Sequence, residues 1–296
     1  MFLGLFLSAQ ETLDILTFSW RLAPHQNYDS IYDGKARETG FSAGLVLPIK
    51  ISEKSIWYNS INYFHWKVTN EEIMPENIAN PIKIHGIIFR TGLYQKFSNG
   101  NSFQVFFTPR LMSDFRNIDK NHFQYGGMAL YNVKYSESLT VGFGVNYNQE
   151  LFGPYLVPLI NLEWKLSNRW SINGVLPIYV KVKYEINKRL NVGYSHFGLI
   201  TTYRLGDPEY GGDYIDRRSI DETLFVRYHI TKNIHIEGRV GFAFGRSYGQ
   251  YGADQKVNFS LPLVGFGDDR IQKNVSFHDG FIASLSLVYN ISILKD

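Results

Sequence analysis

The chain has 296 residues, a formal net charge of +3 and no cysteine. The absence of cysteine excludes disulfides, thiolate metal sites and cysteine nucleophiles, and so small a charge does not indicate a nucleic-acid partner. Aromatic residues make up 16% of the chain, which suits the two aromatic girdles of a membrane-spanning β-barrel. No run approaches the roughly 18 consecutive apolar residues of a helical span, so any membrane crossing must be made by strands.

The N-terminus has the pattern of an export signal. Residues 1–7 are apolar, and Ser8, Ala9 and Gln10 form a plausible cleavage region. We therefore interpret residues 1–9 as the remnant of a signal peptide and residues 10–296 as a single outer-membrane β-barrel. The missing basic n-region favours a start inside a longer signal, and the alternative is that these apolar residues form a first strand.

Strand-like alternation recurs along nearly the whole chain. In residues 234–244, for example, apolar residues such as Ile236 and Val240 alternate with polar ones such as His235 and Glu237. Short polar turns separate such segments at residues 52–54, 99–101, 136–138, 167–169, 187–189 and 231–233, and a tighter connection lies at 176–177. Longer connections are predicted at residues 24–37, 67–81, 116–122, 150–155, 205–219 and 246–276.

This arrangement predicts an all-β fold, a single antiparallel transmembrane β-barrel of about 14 strands (roughly 12–16), with short periplasmic turns and longer extracellular loops. The arm from Trp170 to Leu176 is shorter than the roughly 9–11 residues of a tilted membrane strand, so it is predicted to lie partly outside the membrane. A soluble β-sandwich or propeller is the rival fold. The outward series at residues 41–49 and 281–291 favour the barrel, because globular strands average about 5–6 residues.

The middle of the chain, over roughly residues 90–205, resembles an uncharacterised family of outer-membrane β-barrel proteins from Gram-negative bacteria. The residues that carry the resemblance are Thr108-Pro109-Arg110, Gly142-Phe143-Gly144-Val145, Pro154, Pro158, Trp164, Trp170, Leu176-Pro177, Tyr184 and Asn187. The resemblance implies a barrel in the outer membrane, and it implies no substrate. The chain departs from many outer-membrane proteins by continuing past Tyr289 instead of ending in an aromatic residue.

Polar residues on the inward phase of the predicted strands are the candidates for lining the lumen. They are Arg90, Tyr94, Arg110, Asp114, Glu163, Lys165, Lys181, Lys183, Glu185, Arg227, His235, Glu237 and Arg239. In one interpretation they form a solute path whose Arg and Lys residues favour anions. In the other, which we favour, opposite charges pair across neighbouring strands and hold the barrel together, as Arg227 would with Glu237.

The sequence gives little indication of catalysis or metal binding. The string Gly-x-Ser-x-Gly occurs once, at residues 40–44, but it lies within a predicted strand and not at the strand-to-helix turn of a nucleophile elbow, and no His-Glu-x-x-His motif occurs. No catalytic residue, metal site or cofactor is therefore predicted, and an outer-membrane enzyme is the least favoured function. The acidic segment 207–216 has oxygen ligands suited to calcium but lacks the EF-hand spacing. Its carboxylates are expected to face solvent, with Arg217 and Arg218 nearby.

The segment 249–276 carries apolar residues such as Phe259 and Phe266 and is too apolar for a loop left fully in water. We expect it to fold into the mouth of the barrel as a constriction. The favoured function is a passive pore, or a transport or binding protein for an unknown small solute. The alternative is a structural or adhesive barrel with a packed lumen that acts through its loops. The expected location is the outer membrane of a Gram-negative bacterium, and the expected partners are its lipid and the barrel-assembly machinery.

Overall fold

The computed structural model describes residues 12–28, 34–70 and 82–292. The predicted signal remnant at residues 1–9 lies outside these ranges, as do most of the predicted loop at 67–81 and the chain beyond Ser292. Within the described residues, no helix is long and apolar enough to cross a membrane. The chain is instead a succession of strands with two short 3₁₀ helices, Lys120–His122 and Pro208–Tyr210.

The strands of the first half of the chain are β1 (Thr12–Asn27), β2 (Lys35–Lys50), β3 (Ser55–Asn70), β4 (Ile82–Lys96), β5 (Ser102–Phe107), β6 (Arg110–Ser113), β7 (Phe123–Gln124), β8 (Gly126–Lys134) and β9 (Leu139–Glu150). Those of the second half are β10 (Gly153–Lys165), β11 (Trp170–Leu176), β12 (Tyr179–Asn187), β13 (Leu190–Arg204), β14 (Tyr214–His229), β15 (Ile234–Tyr251), β16 (Phe259–Leu261), β17 (Val264–Phe266) and β18 (Gly280–Ser292).

These strands close into one antiparallel barrel of 14 strands, and the predicted fold is confirmed. Sequential strands pair with each other, and β1 pairs with both β2 and β18, which completes the circle. The segments β5 and β6 form one strand of the wall, interrupted at Thr108 and Pro109, and β7 and β8 form the next, interrupted at Tyr125. The remaining pair, β16 and β17, is a small hairpin between β15 and β18.

The alternation of side chains explains why these strands form a membrane barrel. On three adjacent strands the outward residues Leu224, Val240 and Phe281 are 65%, 62% and 68% exposed, whereas the inward residues His235 and Glu237 are buried. So continuous an apolar exterior is unfavourable in water. It matches the lipid-facing surface of a transmembrane barrel.

The six predicted short turns are all present at one end of the barrel, which we call the turn end. Each begins with a Ser, Thr or Asn side chain that accepts a hydrogen bond from the backbone N–H two residues later. The acceptors are Ser52, Asn99, Ser136, Ser167, Asn187 and Thr231. These local bonds stabilise a tight reversal of the backbone, which is why the turns were recognisable from sequence.

At the opposite end, which we call the loop end, the strands extend further than predicted. The predicted loop at 150–155 shrinks to residues 151–152, β14 already begins at Tyr214, and β15 continues to Tyr251. The boundaries predicted for 24–37, 205–219 and 246–276 are therefore wrong by several residues. The register of β15 against β14 shifts near Gly245, which has a positive φ of 56°. This shift breaks the alternation on which the prediction depended.

The hairpin of β11 and β12 is shorter than its neighbours and leaves a gap in the wall. Although β10 starts at Gly153, it pairs with β11 only from Ile160 onward. Similarly, β13 runs to Arg204 but pairs with β12 only as far as Phe197. On the loop-end side of the hairpin, two strands are therefore missing between β10 and β13.

Candidate functional site

The barrel encloses a cavity of about 160 Å³. Strands from all sides of the barrel line it, so it exists only because the sheet closes. Its larger side chains are apolar or aromatic and include Phe64, Trp66, Met112, Tyr155, Phe197 and Tyr203. Its polar lining includes Ser19, Ser42, Asn146, Asn148, Ser284 and Ser286, and its charged lining is Arg21, Arg90, Arg110, Asp221 and Arg239. A mainly apolar cavity with a few polar groups is the usual form of a small-molecule site.

An apolar cluster, which we call the outer plug, fills the barrel between this cavity and the loop end. Its members include Trp66, Ile84, Tyr203, Tyr248 and Phe277, which are all buried and come from both sides of the barrel and from the segment before β18. Phe277 stacks on Tyr248 with ring centroids 5.9 Å apart. Tyr248 and Phe277 lie just outside the segment 249–276 that was expected to constrict the mouth, and of that segment Val275 packs against the plug.

A buried ionic network lies beside the outer plug. The Glu38 carboxylate accepts hydrogen bonds from the Tyr248 hydroxyl at 2.8 Å and from the Arg21 guanidinium, which also binds Asp221. The Arg217 guanidinium donates to the Tyr248 hydroxyl at 2.9 Å and lies 3.7 Å from the centre of the Trp66 ring. The network therefore cross-links β1, β2, β14 and β15 through the interior.

Sequence reasoning missed this network. Arg217 and Tyr248 lie in segments that were predicted to be extracellular loops. Arg21 follows Ser19 on the inward phase of β1, so alternation alone could have identified it. Glu38, which is fully buried, begins the inward series that continues through Gly40 and Ser42.

Four of the predicted lumen residues form a second group, which we call the Glu237 cluster. The Glu237 carboxylate accepts hydrogen bonds from Lys181 Nζ at 2.9 Å, Arg227 Nε at 2.8 Å and Arg239 Nε at 2.8 Å. Lys181 is on β12 and Glu237 is on β15, and these strands are not neighbours. Their contact must therefore cross the interior of the barrel, and it places three cations around one carboxylate.

The other predicted lumen residues are dispersed along the barrel. Their positions differ as follows: Arg90 and Tyr94 are buried on β4, Glu163 is buried on β10, His235 is buried on β15, Lys183 and Glu185 are half-buried, and Lys165 is exposed at the turn end. Arg110 donates to Glu150 at 3.0 Å. Asp114 is at the loop end, where it accepts the backbone N–H of Gly206 at 3.0 Å.

Three of the four carboxylates of the acidic segment 207–216 bind protein groups, and the expectation that they face solvent is wrong for Asp213 and Asp216, which are buried. The backbone N–H of Glu209 and the side chain of Arg116 lower the pKa of Asp207, Lys273 binds Asp213 at 2.8 Å, and Arg218 binds Asp216 at 2.7 Å. Among the residues that the structure describes, no group of three or more His, Cys, Asp or Glu could hold a metal ion.

The chain between β15 and β18 crosses the outside of the barrel towards β10, and we call residues 252–271 the strap. The backbone N–H of Val257 donates to the carbonyl of Phe152 at 2.7 Å, and Ser260 on β16 pairs with Tyr155 on β10. Arg270 binds Asp216 at 3.2 Å and lies over the Tyr251 ring at 4.4 Å. The strap is thus fixed at both of its ends.

The chain matches the model of one protein family and is similar in fold to several solved structures. The model of one family, described as Domain of unknown function (DUF6268), matches residues 15–259. No curated protein sequence matches the chain.

Among solved structures, the chain is similar to the COG4313 outer membrane channel from Pseudomonas putida F1, with 9% identity, a TM-score of 0.49, and coverage of 97% of this chain and 100% of that chain. It is also similar to the TodX monoaromatic hydrocarbon channel deltaS2 mutant, with 8% identity, a TM-score of 0.43, and coverage of 95% and 91%. A third similar structure is the KdgM porin in complex with disordered oligogalacturonate, with 9% identity, a TM-score of 0.37, and coverage of 92% and 98%. Similarities of this degree identify no substrate.

Proposed function

Because the chain belongs to the DUF6268 family, whose description assigns no activity, we propose from the barrel itself that the protein is an outer-membrane channel for small solutes. The observation that carries this proposal is the cavity inside the barrel, which has apolar walls and a few convergent polar groups.

The architecture supports a location in the outer membrane. A closed antiparallel barrel with an apolar exterior satisfies its own backbone hydrogen bonds in lipid, and barrels with an even number of strands are typical of bacterial outer membranes. In this location the turn end faces the periplasm and the loop end faces outward. Lipid and the barrel-assembly machinery are then the protein's partners.

The charges of the cavity indicate which solutes are favoured. Four arginines and one aspartate contribute to its lining. Arg21, Arg110 and Arg239 are bound to Glu38, Glu150 and Glu237, but Glu237 also binds two further cations, Lys181 and Arg227. Cations therefore outnumber carboxylates around the cavity, and the local potential favours anionic solutes. The Trp66, Tyr155 and Phe197 rings add apolar contacts, which suit a solute with an apolar body. We therefore propose small amphipathic anions as the preferred class.

The experiment is single-channel recording of the refolded protein in a planar bilayer. The double variant Tyr203→Ser and Phe277→Ser removes two aromatic side chains from the outer plug, and Phe97→Ser with Tyr135→Ser, at the exposed turn end, is its control. We expect anion-selective openings that are larger or more frequent in the plug variant than in the wild type and the control. Silence of all three proteins, when each is folded and heat-modifiable on a gel, would contradict the proposal.

A second candidate is a structural or adhesive barrel that acts through its loops. The observation in its favour is the outer plug, which fills the loop-end half of the interior with buried aromatic residues. This candidate predicts the silent outcome of the recording, together with binding that is lost when the strap is shortened.

A further inference from the structure

We propose that solutes pass sideways between the cavity and the membrane, through an opening in the barrel wall that the strap closes. This inference rests on the proposed channel function and specifies its route. We call the opening the window. It is the gap between residues 155–159 of β10 and 198–201 of β13.

Hydrogen bonding defines the upper and lower limits of the window. At the bottom, the backbone N–H of Gly198 donates to the carbonyl of Ile178, in the turn between β11 and β12, at 2.8 Å. At the top, the Glu150 carboxylate accepts the backbone N–H of Thr202 at 2.9 Å. Two strands separate β10 from β13 below the window, whereas above it side-chain hydrogen bonds join Thr202 directly to Glu150, Leu151 and Gln124. The opening therefore narrows towards the loop end.

The cavity lies directly behind the window. Tyr155 and Val157 on one edge, Ile178 at the bottom, and Leu199, Ile200 and Thr201 on the other edge all contribute to the cavity lining. The axial exit towards the loop end, in contrast, is filled by the outer plug. The window therefore opens directly onto the cavity, whereas the outer plug fills the axial route towards the loop end.

The strap is positioned to close this window. One edge of β10 at Tyr155 is already occupied by Asn148 of β9, so the pairing of Tyr155 with Ser260 must use the other edge, where β11 is missing. Backbone groups left unpaired in lipid cost several kcal/mol each. On the facing edge, the backbone of Thr202 is satisfied by the side chains of Glu150 and Gln124. Side-chain hydrogen bonds of this kind can break, and the window can open, without the loss of the backbone hydrogen bonds of a whole strand.

The outer surface around the window is apolar. Leu176 below it is 40% exposed, and Leu263, Val264 and Phe266 at the tip of the strap hairpin are 82%, 49% and 49% exposed. Exposed apolar groups at this position favour contact with lipid. Ile200 on the window edge pairs with Arg218 of β14, so a molecule that leaves by this route reaches the outer border of the apolar layer of the membrane. The transported class is therefore small amphipathic molecules that partition into lipid.

A disulfide between the strap and β10 tests the route. The chain contains no cysteine, so Tyr155→Cys with Ser260→Cys introduces a single possible bridge at a position where the two residues pair. The control pair, Lys134→Cys with Thr140→Cys, bridges two paired strands at the turn end. A further variant replaces residues 259–266 with two glycines and removes the hairpin from the window.

The readout is uptake of the apolar anion 1-anilinonaphthalene-8-sulfonate by cells that carry each variant in the outer membrane, followed by fluorescence. We expect oxidation to lower the uptake rate several-fold in the Tyr155/Ser260 variant, reduction to restore it, and the hairpin deletion to raise it. Oxidation should leave the rate of the control pair unchanged.

The outcomes separate the window from the channel. If the wild type takes up the probe, and neither the strap disulfide nor the hairpin deletion changes the uptake rate in its variant, the window is overturned and the channel stands. If no variant takes up the probe faster than cells without the protein, although each is folded in the membrane, the channel is overturned and the window with it.

Discussion

At the scale of single residues, the Glu237 cluster is the interaction that most directly holds the interior together. One carboxylate, 1% exposed, compensates three cations from three different strands. In a medium of low polarity, the three positive charges repel strongly once the carboxylate is removed. Glu237 therefore contributes to stability out of proportion to its size.

The variant Glu237→Gln keeps the shape of the side chain and removes its charge. We expect it to lower the free energy of unfolding by about 3 kcal/mol, a value typical of breaking a buried ion pair. Urea unfolding in lipid vesicles measures this. Glu137→Gln is the matched control, because the Glu137 side chain is 93% exposed in a turn and its loss should leave the unfolding midpoint unchanged. Equal midpoints for both variants would contradict the interpretation.

The contact between Arg227 and Glu237 could be predicted from sequence, because β14 and β15 are consecutive and joined by a recognisable turn. The contact between Arg21 and Asp221 could not, since 200 positions separate these residues in the chain. Only closure of the barrel between β1 and β18 brings them together. Whether the predicted inward residues guide a solute stays a prediction.

At the scale of elements, the turns were predictable and the outer ends of the strands were not. Each short turn contains its own stabilising hydrogen bond, so local sequence specifies it. The outer ends of β14 and β15 leave the apolar band, and Arg218 and Asp216 face outward there. Alternating hydrophobicity therefore no longer marks them as strands, although the hydrogen-bond ladder continues.

Docking of the strap depends on Gly153, the first residue of β10. It has a φ of 130°, and a Cβ there would lie 2.6 Å from the carbonyl oxygen of Val257. We expect Gly153→Ala to displace the strap from β10. Gly211→Ala is the control, because Gly211 also has a positive φ but has open space around its Cβ position.

Displacement is measurable as a distance between spin labels at Leu263→Cys on the strap and Tyr147→Cys on β9. The distance distribution should broaden in the Gly153→Ala background and stay narrow in the Gly211→Ala background. A narrow distribution in both would show that the strap does not depend on close approach at Gly153.

The strap should also respond to acid. The Arg270 side chain, by its hydrogen bonds and charge, lowers the pKa of Asp268 from its ordinary value of 3.8. A lowered carboxyl pKa stabilises the docked strap at pH values above 3.8, and this contribution is lost as the pH falls through the lower value of the folded protein. The distribution of distances between the two spin labels should therefore broaden in strong acid. The Asp268→Asn variant should show a broad distance distribution already at neutral pH, and this distribution should not change with pH.

At the scale of the whole molecule, closure of the sheet creates the cavity, and this is why sequence reasoning did not find it. Its lining comes from strands on all sides of the barrel, and no single segment shows it. The number of strands could be predicted because it needs only a count of turns. The plug, the window and the cavity depend on which side chains meet across the interior.

The summed charge of the cavity lining leads to a prediction for the whole channel. The cations in and beside the lining outnumber the carboxylates that bind them, so the reversal potential in a gradient of potassium chloride should indicate preference for chloride. Arg90→Gln should reduce this preference, whereas Lys188→Gln, in an exposed turn, should not. Cation preference in the wild type would contradict this reading of the interior.

The two anchors of the strap also constrain how this family diversifies. The chain leaves β15 at Tyr251 and pairs with β10 at Ser260, and the backbone of this stretch, more than its side chains, completes the wall. Among homologues we expect the length of 252–259 to be kept while its residues change freely. Insertions and deletions should gather at the hairpin tip after Leu261, where added residues project away from the barrel.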